Sequence, residues 1–300
     1  MLSILIPVYN YNISNLIFEI HKQAINANIK FEIICYDDNS EKHISENKSA
    51  IDSLNYSSII ISKENIGRTD ARQLLSNKAA YDWLLFLDAD VIPKSDNFIQ
   101  HYIEKTNSIY DVIYGGFAYN KEKPSNDAIL RWKYGKTFEE IDAKKRNLTP
   151  YQLIISANFF IRKSVFEEIN SKINKKSYGL DNYFAALLKQ NNFRVLHVNN
   201  EVYHHGLESS ILYLKKVEEC IITLLWLYDG KKMVEHNNKL LSVFTNVKRF
   251  KVNYLMNLFY HIFNSKIKKN LLSKNPNLFL LQLYKLSYIC YEDLNKKKHV

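Results

Sequence analysis

Residues Trp83–Pro93 read WLLFLDADVIP. Trp83 to Leu87 are apolar without a break, and Asp88, Ala89 and Asp90 follow before Pro93. A short apolar run closed by turn signals suits a strand buried on both faces. Its carboxyl end then carries two carboxylates, at the edge where open α/β sheets bind ligands. Neighbouring carboxylates repel and are costly to desolvate unless a cation neutralises them. A hard divalent ion with oxygen ligands, Mn²⁺ or Mg²⁺, does that and commonly holds a diphosphate as well. An isolated Asp-x-Asp is more often a solvated turn, because the tripeptide is common. The metal reading therefore needs support from the rest of the chain.

Upstream, strands and helices alternate. Ser3–Val8 reads as a first strand with Pro7 near its end, and Asn12 as the N-cap of an amphipathic helix reaching Ala27. Phe31–Tyr36 is a second strand, ending in Asp37-Asp38-Asn39-Ser40, and Ser58–Ser62 a third. Asn65-Ile66-Gly67-Arg68 turns into a helix carrying Arg68 and Arg72. This spacing predicts an α/β fold, with a Rossmann-like, mostly parallel sheet and helices on both faces. Crossovers of one hand bring the strand ends to one edge. Tyr9, Asp38, Arg68, Asp88 and Asp90 are expected to meet there.

Downstream, Ser95–Ser108 reads as a helix and Asp111–Tyr119 as a strand whose Gly115-Gly116 admits a close ligand or backbone. Lys121–Pro150 is polar and predicts a mobile excursion with helical pieces. Ile154–Arg162 is strand-like, Asp181–Gln190 helical, and Arg194–Val198 and Glu201–His204 are short extended pieces. A helix from about Ser209 to Tyr228 is followed by two or three basic amphipathic helices.

The 300 residues are 46% hydrophobic, enough for a sizeable core. Cys35, Cys220 and Cys290 are odd in number and far apart, which excludes a disulfide framework and fits a reducing, cytoplasmic setting. The N-terminus has no secretory signal pattern, and no run reaches the ~18 apolar residues of a membrane span. Residues 231–300 carry 14 Lys/Arg against 3 Asp/Glu, whereas residues 1–230 carry 27 against 28. That asymmetry marks a boundary near Asp229-Gly230 and points to an anionic partner for the basic helical extension, residues 231–300. Lysines interleaved with Phe, Tyr and Leu fit either a peripheral contact with an anionic inner membrane surface or a solvated basic face. No stacking platform or motif for nucleic acid is present.

Several motifs carry two readings each. Asp38 can cap a helix or accept a hydrogen bond from a nucleoside. Arg68, directly after Gly67 at a helix start, suits a base or phosphate better than a solvated charge. Asp181 can be an N-cap or a general base. His204 can be a packed histidine or a metal ligand.

Taken together, residues 1 to about 228 resemble the family 2 glycosyltransferases of the GT-A fold. The matching segments are Ile6-Pro7-Val8-Tyr9-Asn10, Asp37-Asp38-Asn39-Ser40, Asn65-x-Gly67-Arg68 with Arg72, Phe86-Leu87-Asp88-Ala89-Asp90, Tyr178-Gly179-Leu180-Asp181-Asn182 and Asn200-Glu201-Val202-Tyr203-His204. Leu130-Arg131-x-x-Tyr134-Gly135, Asn158-Phe159-Phe160 and Gly206-Leu207-Glu208 look like a bacterial branch that builds cell-envelope glycans. The resemblance implies a GT-A catalytic domain over residues 1–230, with a nucleotide-sugar donor and a glycan or lipid-linked acceptor. It implies that Pro7, Tyr9, Asp38, Asn65, Arg68, Asp88 and Ala89 bind the donor nucleotide, with uridine the expected base. By the same resemblance Asp90 and His204 hold Mn²⁺ or Mg²⁺, with Asp88 reaching the ribose or a metal-bound water. The family's acidic motif, usually Glu-Asp, reads Asp181-Asn182 here. An amide cannot accept a proton, so Asp181 is the only carboxylate of that pair left to act as base. The implied activity is inverting, metal-dependent transfer of a hexosyl or N-acetylhexosaminyl group.

Two other classes share some of these features. A nucleotidyltransferase also gathers acids and a metal at a sheet edge, but it carries a Gly-rich loop where Pro7-Val8-Tyr9-Asn10 stands. A non-catalytic sugar-nucleotide binder accommodates Asn182 and the basic extension.

Overall fold

A computed structural model describes residues 1–295. The chain begins β1 (Leu2–Val8), α1 (Ser14–Asn26), β2 (Phe31–Asp37), α2 (Ile44–Asp52), β3 (Ser57–Ile61), α3 (Arg68–Lys78) and β4 (Trp83–Leu87). It continues β5 (Val91–Pro93), α4 (Phe98–Ile103), β6 (Val112–Tyr114), β7 (Phe117–Ala118), α5 (Ile129–Phe138), α6 (Ala143–Asn147), β8 (Asn158–Arg162) and α7 (Lys163–Asn170). It ends α8 (Asp181–Gln190), β9 (Val195–His197), β10 (Val202–His204), α9 (Ser210–Asp229), α10 (Lys239–Arg249), α11 (Asn253–Leu271) and α12 (Leu278–Asn295).

Contacts group the described residues into two units. The first holds residues 1–119, 139–176 and 190–206, and the second the described residues of 120–138, 177–189 and 207–295. The step at Asp229-Gly230 is thus a boundary of charge, whereas α9 packs with α12 inside the second unit.

The first unit is built on a seven-stranded sheet in the order β3-β2-β1-β4-β8-β6-β9. β1 to β4 pair in parallel, and so do β6 and β9. β8 runs antiparallel to both β4 and β6. The sheet is therefore mostly parallel, with one reversed strand inserted beside β4. In β4 every residue is buried, with Leu84 to Leu87 at 0% exposure. Trp83 stacks on Phe160 at 4.3 Å between ring centroids, and Phe86 on Phe159 at 5.0 Å. Each such buried side chain contributes about 2 kcal/mol. α1 turns Leu16, Ile17, Ile20, Gln23 and Ala24 inward, the helical spacing of a core face. The cap position falls at Ile13, one residue later than expected, and Asn12 assists from just before it, its Oδ1 accepting from Ser14 N at 2.9 Å.

Three further departures from the sequence expectation bear on the site. Residues 111–119 do not form one strand, because the chain divides at Gly116, where φ is +94°. β6 stays in the large sheet, while β7 joins a second sheet, β5-β10-β7. The helix expected over Ser95–Ser108 is only the six residues of α4. Finally, β8 starts where β4 ends, with Asn158 paired to Leu87, so residues 156–158 arrive at the edge that carries Asp88 and Asp90.

The second unit is helical. Within it Tyr260 packs against the rings of Tyr284, Tyr288 and Tyr291, and Tyr284 donates to Glu218 at 2.5 Å. Lys268 pairs with the same Glu218 at 2.9 Å. Three helices, α10 to α12, lie in the basic segment.

Candidate active site

The parallel strands end at one edge, and each delivers a short loop. After β1 come Tyr9, which is 55% exposed, and Asn10, whose φ of +51° lets the chain turn sharply. Asn10 N donates to Ser40 Oγ at 2.8 Å, and its side-chain oxygen accepts from Glu41 N at 2.7 Å. The loops after β1 and β2 are thereby tied together. Pro7 lies within β1, opposite Tyr36.

Asp37 and Asp38 act inward. Asp37 Oδ1 accepts from Ser40 N at 2.8 Å. Asp38 accepts from Ile66 N at 2.7 Å on one oxygen and from Gly67 N at 2.9 Å on the other. Asn65 Nδ2 donates to the Asp38 carbonyl, and Lys176 Nζ donates to Asn65 Oδ1 at 2.7 Å. Asp38 and Asn65 therefore set the turn that launches α3. Gly67 has φ +86°, and a Cβ there would meet Lys176 at 2.8 Å.

Arg68 opens α3 and Arg72 follows one turn later, so both reach the same side. Arg68 Nη2 donates to Asp88 Oδ2 at 2.5 Å and to Ser156 Oγ at 3.0 Å. Arg72 Nη2 donates to Asp88 Oδ1 at 2.8 Å and to the Ser156 carbonyl at 2.5 Å. Both Asp88 oxygens thus face guanidinium groups. Ser156 was not singled out from the sequence, and only the reversed strand β8 brings it here.

Asp90 has a different partner. β10 pairs antiparallel with β5, setting His204 opposite Val91. His204 Nε2 lies 3.2 Å from Asp90 Oδ2, and His205 N donates to the Asp90 carbonyl at 2.9 Å. The His204 ring is stacked on Phe117 at 5.0 Å and edge-on to Tyr119 at 5.8 Å. Gly206 lies against the carboxylate, where a Cβ would come within 1.9 Å of Asp90 Oδ2. Burial pushes the Asp90 pKa upward. The hydrogen bond and charge of His204, with the charge of Arg68, outweigh it and hold the group below the usual carboxylate range.

A cavity of about 160 Å³ opens beside Asp90, with Tyr11, Asn12, Asn15, Ala89 and His205 in its lining. Burial and the Asp90 charge push the Tyr11 hydroxyl pKa up. Behind the site a buried amide network fixes the β10 loop. Asn158 donates to the carbonyls of Gly116 and Asn200 and accepts from Tyr102 OH at 2.6 Å. Gly115 leaves room for that network, since a Cβ there would lie 2.3 Å from Asn200 O. Backbone, not ligand, thus makes the close approach at Gly115.

Asp181 belongs to the second unit, as the first residue of α8. Its neighbour Asn182 uses both ends of its amide. Nδ2 donates to Gly179 O at 3.1 Å, and Oδ1 accepts from Asn238 at 2.8 Å. A carboxylate at 182 could not make the first of these bonds.

Asp90 and His204 suit a divalent ion that takes oxygen and nitrogen ligands. Among the described residues no group of three or more His, Cys, Asp or Glu is placed to hold a metal.

Comparison with known sequences bears on what this edge is for. The model of glycosyl transferase family 2 matches residues 3–170, which include Asp38, Arg68, Asp88 and Asp90. The chain belongs to glycosyl transferase family 2. Among solved structures, S. aureus TarS 1-349 aligns with a TM-score of 0.51 at 15% identity, covering 99% of this chain and 91% of that one. The mannosyltransferase PcManGT from Pyrobaculum calidifontis, in complex with GDP-Man and Mn²⁺, aligns with a TM-score of 0.56 at 10% identity, covering 99% and 87%. A longer S. aureus TarS structure gives a TM-score of 0.49 at 16% identity over 75% of this chain, which spans 39% of that protein. At 15% and 10% identity the first two likenesses are ones of fold, and the fold is GT-A. No curated protein matches the chain.

Proposed function

We propose that this family 2 chain is an inverting, metal-dependent glycosyltransferase. It moves a hexosyl or N-acetylhexosaminyl group from a nucleotide-sugar donor to a hydroxyl of a glycan or lipid-linked acceptor in cell-surface polysaccharide synthesis. The observation that carries this reading is the meeting of Asp90 and His204 at 3.2 Å beside an open cavity. Asp90 and His204 would hold Mn²⁺ or Mg²⁺, which would supply positive charge to the leaving diphosphate. The solved mannosyltransferase holding GDP-Man and Mn²⁺ supports the metal, while uridine is the base that the family resemblance implies.

The chain's own residues divide the remaining work. Tyr9 offers an exposed ring to the nucleoside, with Pro7, Asn65 and Ala89 along the same edge. Asp38 holds the turn from which Arg68 projects. Asp88 aligns Arg68 and Arg72, whose positive charge favours an anionic donor. Asp181 takes the proton of the acceptor hydroxyl as its oxygen bonds to the anomeric carbon and the bond to the donor phosphate breaks. Attack from the face opposite the leaving group inverts the configuration. This chemistry is assigned within residues 1–230, with residues 231–300 as a basic helical addition that meets a membrane on its cytoplasmic side.

The test is release of nucleoside diphosphate from a panel of labelled nucleotide sugars with Mn²⁺. The wild-type chain releases product from at least one donor, and Asp90→Ala lowers that rate at least about 100-fold. Tight donor binding with no release from any sugar would make the chain a binder and not a transferase.

A further inference from the structure

The first turns of α11 bury little apolar surface. Asn253 is buried there, and Asn257, Tyr260 and Asn264 are half-buried beside Met256 and Phe259, before the buried Ile267 and Leu271. Among the described residues, the Oδ1 atoms of Asn253 and Asn257 are buried without a hydrogen-bond partner. The outer side carries Tyr254, Leu255, Leu258 and Ile262, which are 54–62% exposed. Positions 255, 258 and 262 follow helical spacing, so they form one stripe. Phe250 and Val252 are also exposed just before the helix. A helix packed in water does the opposite, turning its apolar side to the core. Each large side chain left out forgoes burial that ordinarily stabilises a fold.

Lysines end the stripe on both sides. Lys251 precedes the helix, and Lys266 and Lys269 continue the line of Leu258 and Ile262 beyond the last apolar residue. All three are exposed. We infer that this face of α11 lies in the interface of a bilayer containing anionic lipid. The apolar stripe enters the acyl boundary while the lysine heads stay at headgroup level. Charge selects this occupant over a second copy of the chain. Two such faces would bring together segments that each carry 14 basic against 3 acidic side chains. Anionic headgroups complement the same charge. No helix among the described residues is long and apolar enough to cross a membrane, so the contact is in-plane. The contact deepens the membrane reading proposed above by naming the helix face that makes it, and it rests on that reading, whereas transfer chemistry is tested separately.

The test is co-flotation of the full chain with vesicles of phosphatidylcholine alone or mixed with phosphatidylglycerol. The wild-type chain floats with anionic vesicles at low salt, and far less at high salt or without anionic lipid. Leu258→Asp with Ile262→Asp lowers the bound fraction at least about tenfold. Lys266→Glu with Lys269→Glu, which leaves the apolar stripe intact, lowers it severalfold. Circular dichroism and sedimentation report whether each variant is folded and monomeric. No flotation of the wild type, equal flotation of both double variants, or a dimer in solution that Leu258→Asp dissolves would overturn the inference. Diphosphate release without vesicles is expected to be the same in these variants as in wild type. Its absence in all of them would sink the transfer reading and leave the membrane contact standing.

Discussion

Asp88 and Asp90 are two residues apart and face different chemistry. Asp88 has both oxygens on guanidinium groups, and Arg72 is 6% exposed with its charge over Phe86 and Phe159. Removing this carboxylate leaves a buried cation poorly paired, which costs about 3 kcal/mol. Asp88→Ala is therefore expected to shift the urea midpoint strongly, measured by fluorescence unfolding. Asp90 pairs with a histidine beside an open cavity, so Asp90→Ala is expected to change stability by about 1 kcal/mol or less while abolishing Mn²⁺-dependent turnover. The reverse pattern, with Asp90 needed for folding and Asp88 dispensable to it, would exchange the two roles. The sequence shows the pair of acids plainly. It also places Arg68 at the same edge, but it does not show that both Asp88 oxygens pair with Arg68 and Arg72 or that Ser156 joins them, which only the tertiary fold supplies.

At the scale of elements, the β–α alternation through β4 is legible because each strand is a short apolar run with turn residues behind it. The rest of the edge is less legible. β5 and β7 are three and two residues long, too short for any periodicity, and yet they hold β10 and with it His204. Gly206 shows what that placement requires. A methyl group there would stand 1.9 Å from Asp90 Oδ2, so Gly206→Ala must push the carboxylate aside. The expected result is Mn²⁺ affinity at least about tenfold weaker with little change in melting temperature, checked by titrating the ion into the folded variant. Asn182 is the second case. In the sequence its departure from the family's acidic pair leaves Asp181 as the one carboxylate there; in the structure its amide ties the α8 turn to Asn238, the N-cap of α10. Asn182→Asp puts a carboxylate against the Gly179 carbonyl and is expected to cost about 1–2 kcal/mol. Diphosphate release by that variant should not exceed wild type; a large gain would show that the missing acid, and not the tie, governs this position.

Over the whole molecule, the interleaving of the two units escapes a reading along the chain, because charge changes at residue 230 while contacts do not. The same holds for His197, an unremarked residue of a short strand that conditions how stability depends on pH. His197 is 2% exposed, with Nδ1 accepting from Arg146 at 2.9 Å and Nε2 donating to the Pro150 carbonyl at 2.8 Å. Burial first, and the Arg146 charge with it, push its pKa down to about 4 against the opposing pull of the Pro150 bond. The unfolded chain binds a proton at this histidine near pH 6.5, and the folded chain does so only near pH 4. The neutral ring therefore contributes stability that is complete above about pH 6.5 and is lost as pH falls toward 4, about 3 kcal/mol in all. Arg146 makes the loss sharper, since it also bonds the carbonyls of Tyr114, Gly115 and Val198 and cannot yield its own charge. Urea unfolding at pH 7, 5.5 and 4.5 is expected to show stability declining with acid by close to one proton at that site. His197→Gln removes the titrating group, so its decline over the same interval should be shallower by that proton even if the variant starts less stable. Parallel curves for the two proteins would mean that carboxylates alone set the acid limit, and His197 would have no part in it.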